Sequence, residues 1–130
     1  MPSVTYEDYP DARFIILWGV NPSTSGIHLV PYVRDAQKKG ATLVVIDPRR
    51  IDLVRTPHIE AAHHLQLRPG TNVAIINALA HVVVTEGLVN EAYVAERCDT
   101  RSFNDWRAFV AKPENSPEAS QHAQQAANKN

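Results

Sequence analysis

Two short runs of strand-forming residues, each followed at once by turn formers, constrain the fold of this chain more than any other feature. The first run, F-I-I-L-W at residues 14–18, ends at Gly19. A continuous apolar run of this length is typical of a strand that is buried on both faces in a parallel sheet. The second run, rich in β-branched residues, covers 42–46 and ends at Asp47-Pro48. Together the two runs predict consecutive strands of one sheet.

A helix is predicted between these strands, from about Leu29 to Lys39. Its apolar residues recur at helical spacing. Two lysines lie near its C-terminal end, where the helix dipole stabilises positive charge. Gly40 follows directly and is well placed to end the helix. The intervening residues thus supply the crossover that a parallel strand pair requires.

The pattern then repeats with a third strand and a second long helix. Residues 64–67 alternate as in a short strand, and 68–71 form a turn in which Thr71 is a candidate N-cap. Apolar residues at helical spacing predict a helix from Thr71 to about Glu86. Two shorter helices should follow, one capped by Asn90 and one whose face carries Phe103, Trp106 and Val110.

This element order predicts an α/β fold: a Rossmann-like, three-layer domain with a mostly parallel sheet, followed by short helices. We expect that domain to span residues 1–112. Residues 113–130 contain almost no apolar side chains, so they should not bury enough surface to offset the entropy of ordering. The sequence therefore predicts a disordered C-terminal tail.

The composition disfavours several classes of function. The formal net charge is -1, which gives no electrostatic case for a nucleic-acid partner. The N-terminal residues lack the pattern of a signal peptide, and the apolar runs are too short to insert into a membrane. We therefore expect a cytoplasmic setting. The single cysteine, Cys98, cannot form an internal disulfide or hold an iron–sulfur cluster, and we expect its side chain to be buried.

Three loops follow the predicted strands, at 19–26, 47–50 and 68–72. Ligands of parallel sheets bind at the carboxyl ends of the strands, so these loops mark the candidate site. In the first, Gly19 permits a close approach to the backbone, and the amides and hydroxyls before a helix suit a diphosphate. The G-x-G-x-x-G and P-loop fingerprints are absent, so a tight turn with a capping serine remains an alternative.

The other two loops carry different polar groups. Asp47 stands where doubly wound folds place an acid that accepts from ribose hydroxyls, and Arg49 and Arg50 suit a phosphate or a base. Asn72 opens the second long helix, and its carboxamide can read the edge of a purine. The alternatives are an Asp-Pro turn with solvated arginines and an ordinary first helical turn.

Histidines and a glutamate cluster at residues 58–64, but we expect no metal site there. His58, Glu60, His63 and His64 match neither H-E-x-x-H nor H-x-x-E-H. No catalytic residue is predicted anywhere in the chain.

The loops and their neighbours resemble the molybdopterin oxidoreductases, the superfamily of formate dehydrogenases, nitrate reductases and dimethyl sulfoxide reductase. The matching stretches are I-I-L-W-G-V-N-P, A-Q-K-K-G-A-T-L-V-V-I-D-P-R-R and H-L-Q-L-R-P-G-T-N-V. The resemblance implies a domain that binds molybdopterin guanine dinucleotide. The cofactor-binding positions that it implies are Gly19, Asn21, Thr24, Ser25, Asp47, Pro48, Arg49, Gly70 and Asn72. It places Asp47 near the guanosine ribose and Asn72 against guanine, and Asn72 resembles the formate dehydrogenase-like branch.

Other elements of that superfamily are missing from the matching stretches. They contain neither the cysteine cluster of the iron–sulfur members nor a molybdenum ligand. We therefore expect a cofactor-binding segment that works with other domains or subunits of an oxidoreductase and is not catalytically complete alone. A stand-alone nucleotide-binding or regulatory module and a non-binding truncated remnant are the alternatives.

Overall fold

The computed structural model describes residues 4–126. The chain divides into two compact units, Met1–Leu67 and Arg68–Asn130. The cofactor-binding domain that the sequence predicts over residues 1–112 stays a prediction. Each unit has its own elements, and the two are described separately below.

The first unit is built on a three-stranded sheet. Its strands are β1 (Phe14–Trp18), β2 (Thr42–Ile46) and β3 (His63–Leu65). They lie in the order β1-β2-β3, and both neighbouring pairs are parallel. The predicted α/β class and the parallel sheet are confirmed. Helix α2 (Leu29–Lys38) matches its predicted bounds within one residue, and the short helix α1 (Pro22–Ser25) lies inside the first predicted loop.

The core of this unit lies on one face of the sheet. Ile15 and Leu17 of β1 pack with Leu43 and Val45 of β2, against α2 and the 3-10 helix Asp52–Val54. The core cluster is Ile15, Leu17, Val33, Ala36, Leu43, Val45, Ile51, Leu53 and Val54.

The expectation that the first strand is buried on both faces is wrong. Phe14 is 56% exposed and Ile16 is 44% exposed, and they alternate with the buried Ile15 and Leu17. The reason is topological, because β1 is an edge strand and α2 covers only the face that Ile15 and Leu17 share. The central strand β2 has the continuous burial expected of a parallel sheet.

The second unit is helical. Its helices are α3 (Asn72–Thr85), α4 (Glu91–Arg97), α5 (Thr100–Val110) and α6 (Pro117–Ala126). Thr71 precedes α3 as predicted, but its hydroxyl donates to the Arg68 carbonyl oxygen at 2.8 Å and does not cap the helix. The Asn90 side chain caps α4 by accepting from the Tyr93 amide at 3.0 Å. Cys98, which follows α4, is exposed, and this corrects the expectation of a buried thiol.

The C-terminal segment differs from the predicted disordered tail, because residues 113–115 form a 3-10 turn and α6 follows. Polar contacts stabilise this segment where apolar ones are scarce. Asn115 is only 7% exposed; its carboxamide accepts from Asn77 at 3.1 Å and donates to the Phe109 carbonyl oxygen at 2.7 Å. The Ser116 hydroxyl accepts from the Ala119 amide in the first turn of α6. Residues 127–130 of the predicted tail lie outside the described residues.

Candidate functional site

Two of the three predicted loops begin side by side. In the parallel pairing of β1 and β2, Trp18 lies opposite Ile46, and one residue further the Gly19 amide donates to the Ile46 carbonyl oxygen at 2.9 Å. Residues 19–26 and 47–50 therefore leave the same edge of the sheet, at the carboxyl ends of the strands. Gly19 has φ +63°, a left-handed conformation that favours glycine.

The first loop folds around the main-chain carbonyl of Asn21. This oxygen accepts from the amides of Thr24 and Ser25 at 3.1 and 3.0 Å, and from their hydroxyls at 3.1 and 3.2 Å. The turn that the sequence left as an alternative is therefore present. Both hydroxyls take part in it, at distances longer than a typical O–H···O bond.

A contact that the sequence did not indicate joins this loop to the segment after the second loop. The Ser23 hydroxyl lies 2.6 Å from Oδ2 of Asp52 and 2.7 Å from Oδ1 of Asn21. Asp52 opens a 3-10 helix, and Arg55 contacts its other carboxylate oxygen at 2.6 Å through Nη2 and at 3.2 Å through Nε. Because Ser23 and Asp52 lie 29 positions apart in the sequence, no local pattern could reveal this pairing.

The charge state of Asp52 follows from these contacts. The Ser23 hydroxyl and then the Arg55 guanidinium hold the pKa of this carboxyl below its ordinary value of 3.8, and partial desolvation opposes them. A hydrogen bond donated to the charged form and a nearby cation both favour ionisation. Asp52 is therefore a carboxylate at neutral pH.

The second loop is anchored by a buried acid. The Asp47 side chain is 2% exposed, and its Oδ1 accepts from the Arg49 amide at 2.7 Å. The Arg49 side chain approaches the same oxygen at 3.5 Å while remaining 76% exposed. This geometry is the Asp-Pro turn with a solvated arginine that the sequence left as an alternative.

Side chains of β3 and of the residue after it secure the same loop from the neighbouring strand. Nε2 of His64 lies 2.9 Å from the main-chain oxygen of Asp47, and the Gln66 carboxamide donates to the Pro48 carbonyl oxygen at 2.9 Å. The loop backbone is therefore fixed from two sides, whereas the Arg49 side chain is largely exposed. Sequence reasoning missed this role of His64 and Gln66, because the predicted strand gives the alternation but not the register.

The third predicted loop belongs to the second unit. Gly70 has φ +87°, and the Thr71 amide donates to the Arg68 carbonyl oxygen at 3.1 Å, which closes the turn. Asn72 is exposed and is the first residue of α3. The convergence of this loop with the other two stays a prediction.

A cavity of about 480 Å³ adjoins the first loop. Loop residues Val20, Pro22, Ser25 and Gly26 form part of its wall. The remaining lining is largely aromatic or apolar and comprises Tyr6, Tyr9, Ile16, Leu17, Trp18, His28 and Leu29. Its size lies within the range of ligand pockets, which are typically apolar with a few polar groups.

Residues 4–126 contain neither a cluster of metal-ligating side chains nor a helix suited to span a membrane. No three His, Cys, Asp or Glu side chains in this part of the chain come close enough together to hold a metal ion. None of its helices combines the length and apolarity needed to cross a lipid bilayer.

Comparison with known proteins connects this arrangement to a family. The model of the molybdopterin oxidoreductase family matches residues 2–128. Formate dehydrogenase H of Escherichia coli is 35% identical over 96 residues, which cover 74% of this chain and 13% of that protein. The F420-dependent formate dehydrogenase 1 subunit alpha of Methanococcus maripaludis is 38% identical over 103 residues, or 79% of this chain and 14% of that protein. The assimilatory nitrate reductase catalytic subunit of Bacillus subtilis is 33% identical over 98 residues, with 75% and 13% covered.

The chain belongs to the molybdopterin oxidoreductase family. The resemblance inferred from the three loops is thereby confirmed, and membership implies a molybdopterin cofactor. The chain spans between an eighth and a seventh of the length of these relatives.

Proposed function

We propose that this chain is the segment of a formate dehydrogenase-like oxidoreductase that binds the guanosine and diphosphate parts of molybdopterin guanine dinucleotide. The observation that carries the proposal is the hydrogen bond from the Gly19 amide to the Ile46 carbonyl oxygen. It joins the loop suited to a diphosphate to the loop suited to a ribose at one sheet edge, where parallel sheets bind nucleotides.

The diphosphate would lie on the first loop. The hydroxyls of Thr24 and Ser25 make long bonds to the Asn21 carbonyl oxygen, and such bonds are readily exchanged for contacts to phosphate oxygens. Arg49 lies in the loop at the same edge of the sheet, and its exposed guanidinium supplies positive charge and paired N–H donors.

The ribose would meet Asp47. One oxygen of the Asp47 side chain accepts from the Arg49 amide, and the second oxygen can accept a further hydrogen bond. The Arg49 side chain must swing aside for a sugar hydroxyl to reach it, and an arginine that is 76% exposed is free to do so. Burial and the contacts from His64 and Gln66 keep the acid and its turn in place.

Gly70 and Asn72 would complete the site in the assembled protein. Their role rests on the resemblance of the P-G-T-N turn, in which the carboxamide faces guanine. The cavity beside the first loop offers room for a ring system next to the diphosphate. The donor set thus fits the nucleotide end of the cofactor, whereas molybdenum, when bound by the complete protein, supplies electron or oxygen-atom transfer.

Calorimetry with guanosine diphosphate tests this proposal. We expect weak, saturable binding with Kd above about 1 μM, because the chain supplies only part of the grip on the cofactor. Arg49→Ala should weaken it about tenfold or more, since a charge-assisted contact is lost. Arg13→Ala is the matched control. Arg13 is an exposed arginine that directly precedes β1, so it lies at the amino ends of the strands, away from the two loops.

Equal affinities of the Arg49→Ala and wild-type proteins would reject the phosphate role of the second loop. Submicromolar binding of the free nucleotide would instead favour a stand-alone nucleotide-binding module. No saturable binding at millimolar nucleotide (about 1–10 mM) would reject the proposed site in this chain.

A further inference from the structure

The Ser23 hydroxyl lies between two oxygen acceptors. Oδ2 of Asp52 is 2.6 Å from it and Oδ1 of Asn21 is 2.7 Å from it. A serine carries one hydroxyl proton, so it donates to only one of these oxygens at a time. The two short distances therefore require a second donor in the cluster.

Asp52 accepts the hydrogen bond that the Ser23 hydroxyl donates. Its carboxylate is ionised, because the Ser23 hydroxyl and the Arg55 guanidinium lower the pKa of its carboxyl. Hydrogen bonds to an ionised acceptor are shorter and roughly twice as strong as those to a neutral amide oxygen. The Ser23 hydroxyl therefore donates to Asp52, and the lone pairs of the serine oxygen face Asn21.

Asn21 can supply the missing donor. If the Asn21 amide oxygen faced the serine lone pairs at 2.7 Å, no proton would lie between the two oxygens. A half-turn about χ2 of Asn21 places the NH2 group there instead, and this group donates to Ser23. The resulting chain runs in one direction, from the Asn21 NH2 group to Ser23 and from the Ser23 hydroxyl to the Asp52 carboxylate. The side-chain oxygen of Asn21 then points away from Ser23.

We propose that Asp52 is a positioning residue which, through Ser23, orients the Asn21 carboxamide so that it offers an acceptor to the ligand. This inference rests on the proposed function and deepens it. An acceptor at Asn21 matches a hydroxyl or N–H group of the nucleoside and repels a phosphate oxygen. Asn21 therefore selects the nucleoside part of the ligand, while Arg49 and the hydroxyls of the loop meet the diphosphate.

The orientation is tested without any ligand, by NMR of the Asn21 side-chain NH2 group. We expect one of its protons to be shifted and slow to exchange in the wild-type protein. Asp52→Asn and Ser23→Ala should move both protons toward the values of a solvated carboxamide. Asp52→Glu should restore part of the shift, because it keeps the charge and the acceptor.

Asp35→Asn is the matched control. Asp35 pairs with Lys38 three residues later, as Asp52 pairs with Arg55, but its carboxylate has no serine partner among the described contacts. The Asn21 resonances should be unchanged in this variant. Unchanged resonances in both Asp52→Asn and Ser23→Ala would overturn the proposal.

Ligand selectivity supplies the second measurement. Asp52→Asn and Ser23→Ala should each weaken the binding of guanosine diphosphate about threefold to tenfold and leave the binding of inorganic pyrophosphate unchanged. The double variant should lose no more than either single one, because both remove the same chain of bonds. Equal losses for the two ligands, or additive losses in the double variant, would contradict an orienting role. If the NMR effects hold but the wild-type protein binds no nucleotide, the positioning role stands and the proposed function fails.

Discussion

Nε2 of His64 lies 2.9 Å from the main-chain oxygen of Asp47, so the third strand fixes the backbone of the loop that follows the second. We expect His64→Ala to destabilise the protein by about 0.5–1.5 kcal/mol, the usual effect of losing one hydrogen bond, and to loosen that loop. Urea denaturation measures the stability, and hydrogen exchange at the Arg49 amide measures the loosening.

His63→Ala is the control for that experiment, because His63 is the exposed preceding residue on the same strand. A His64→Ala protein with wild-type exchange at Arg49 would show that the histidine contact does not order the loop.

A side chain at Gly19 should destabilise the protein through the backbone conformation alone. The φ of Gly19 is +63°, and a Cβ would meet no atom within 4 Å. Gly19→Ala is therefore expected to cost about 1–2 kcal/mol through backbone strain. Gly26→Ala should cost far less, because Gly26 has φ -174° and a Cβ there meets only the Pro22 Cα at 3.9 Å. Equal urea midpoints for the two variants would contradict this expectation.

The free energy of unfolding should depend on Asp52 in acid. The pKa of Asp52 is lowered in the folded protein, first by the Ser23 hydroxyl and then by Arg55. The stabilisation is therefore fully present above the ordinary value of 3.8 and is lost as the pH falls through the lower folded pKa.

Urea denaturation between about pH 6 and pH 2 checks this, with Asp52→Asn beside the wild-type protein. The asparagine variant should show a smaller loss of stability on acidification. Curves that differ by a constant amount at every pH would show that Asp52 does not contribute to the acid dependence.

Asn115 should hold the C-terminal helix in place. Asn115→Leu would leave the Phe109 carbonyl and the Asn77 side chain without this partner, at a cost of about 1–3 kcal/mol. We expect faster hydrogen exchange in residues 117–121 of α6. Asn104→Leu, at an exposed position of α5, is the control. Protection of α6 that is the same in both variants would mean that other contacts order this segment.

The regular elements were largely predictable from the sequence. Helical spacing gave α2 and α3 within about one residue of their ends, and the loops after β1 and β2 lie at one edge as the parallel pairing requires. These features depend on local periodicity and on a general property of parallel sheets.

The errors arose where topology or long-range polar contacts decide. The burial of Phe14 depends on which strand lies at the edge of the sheet, and an apolar run does not encode that. The pairing of Ser23 with Asp52 joins distant parts of the sequence. The C-terminal segment carries hydrogen bonds of the Asn115 carboxamide to Asn77 and Phe109, and a rule that counts only apolar residues misses such contacts.

Because the Gly19 amide donates a hydrogen bond to the Ile46 carbonyl oxygen, the positions of the two loops are coupled, and the loops cannot be re-engineered independently. A substitution that shifts the end of β2 would carry the first loop with it and change two parts of any ligand contact at once. Attempts to alter the ligand preference of this chain should therefore vary both loops as a single library.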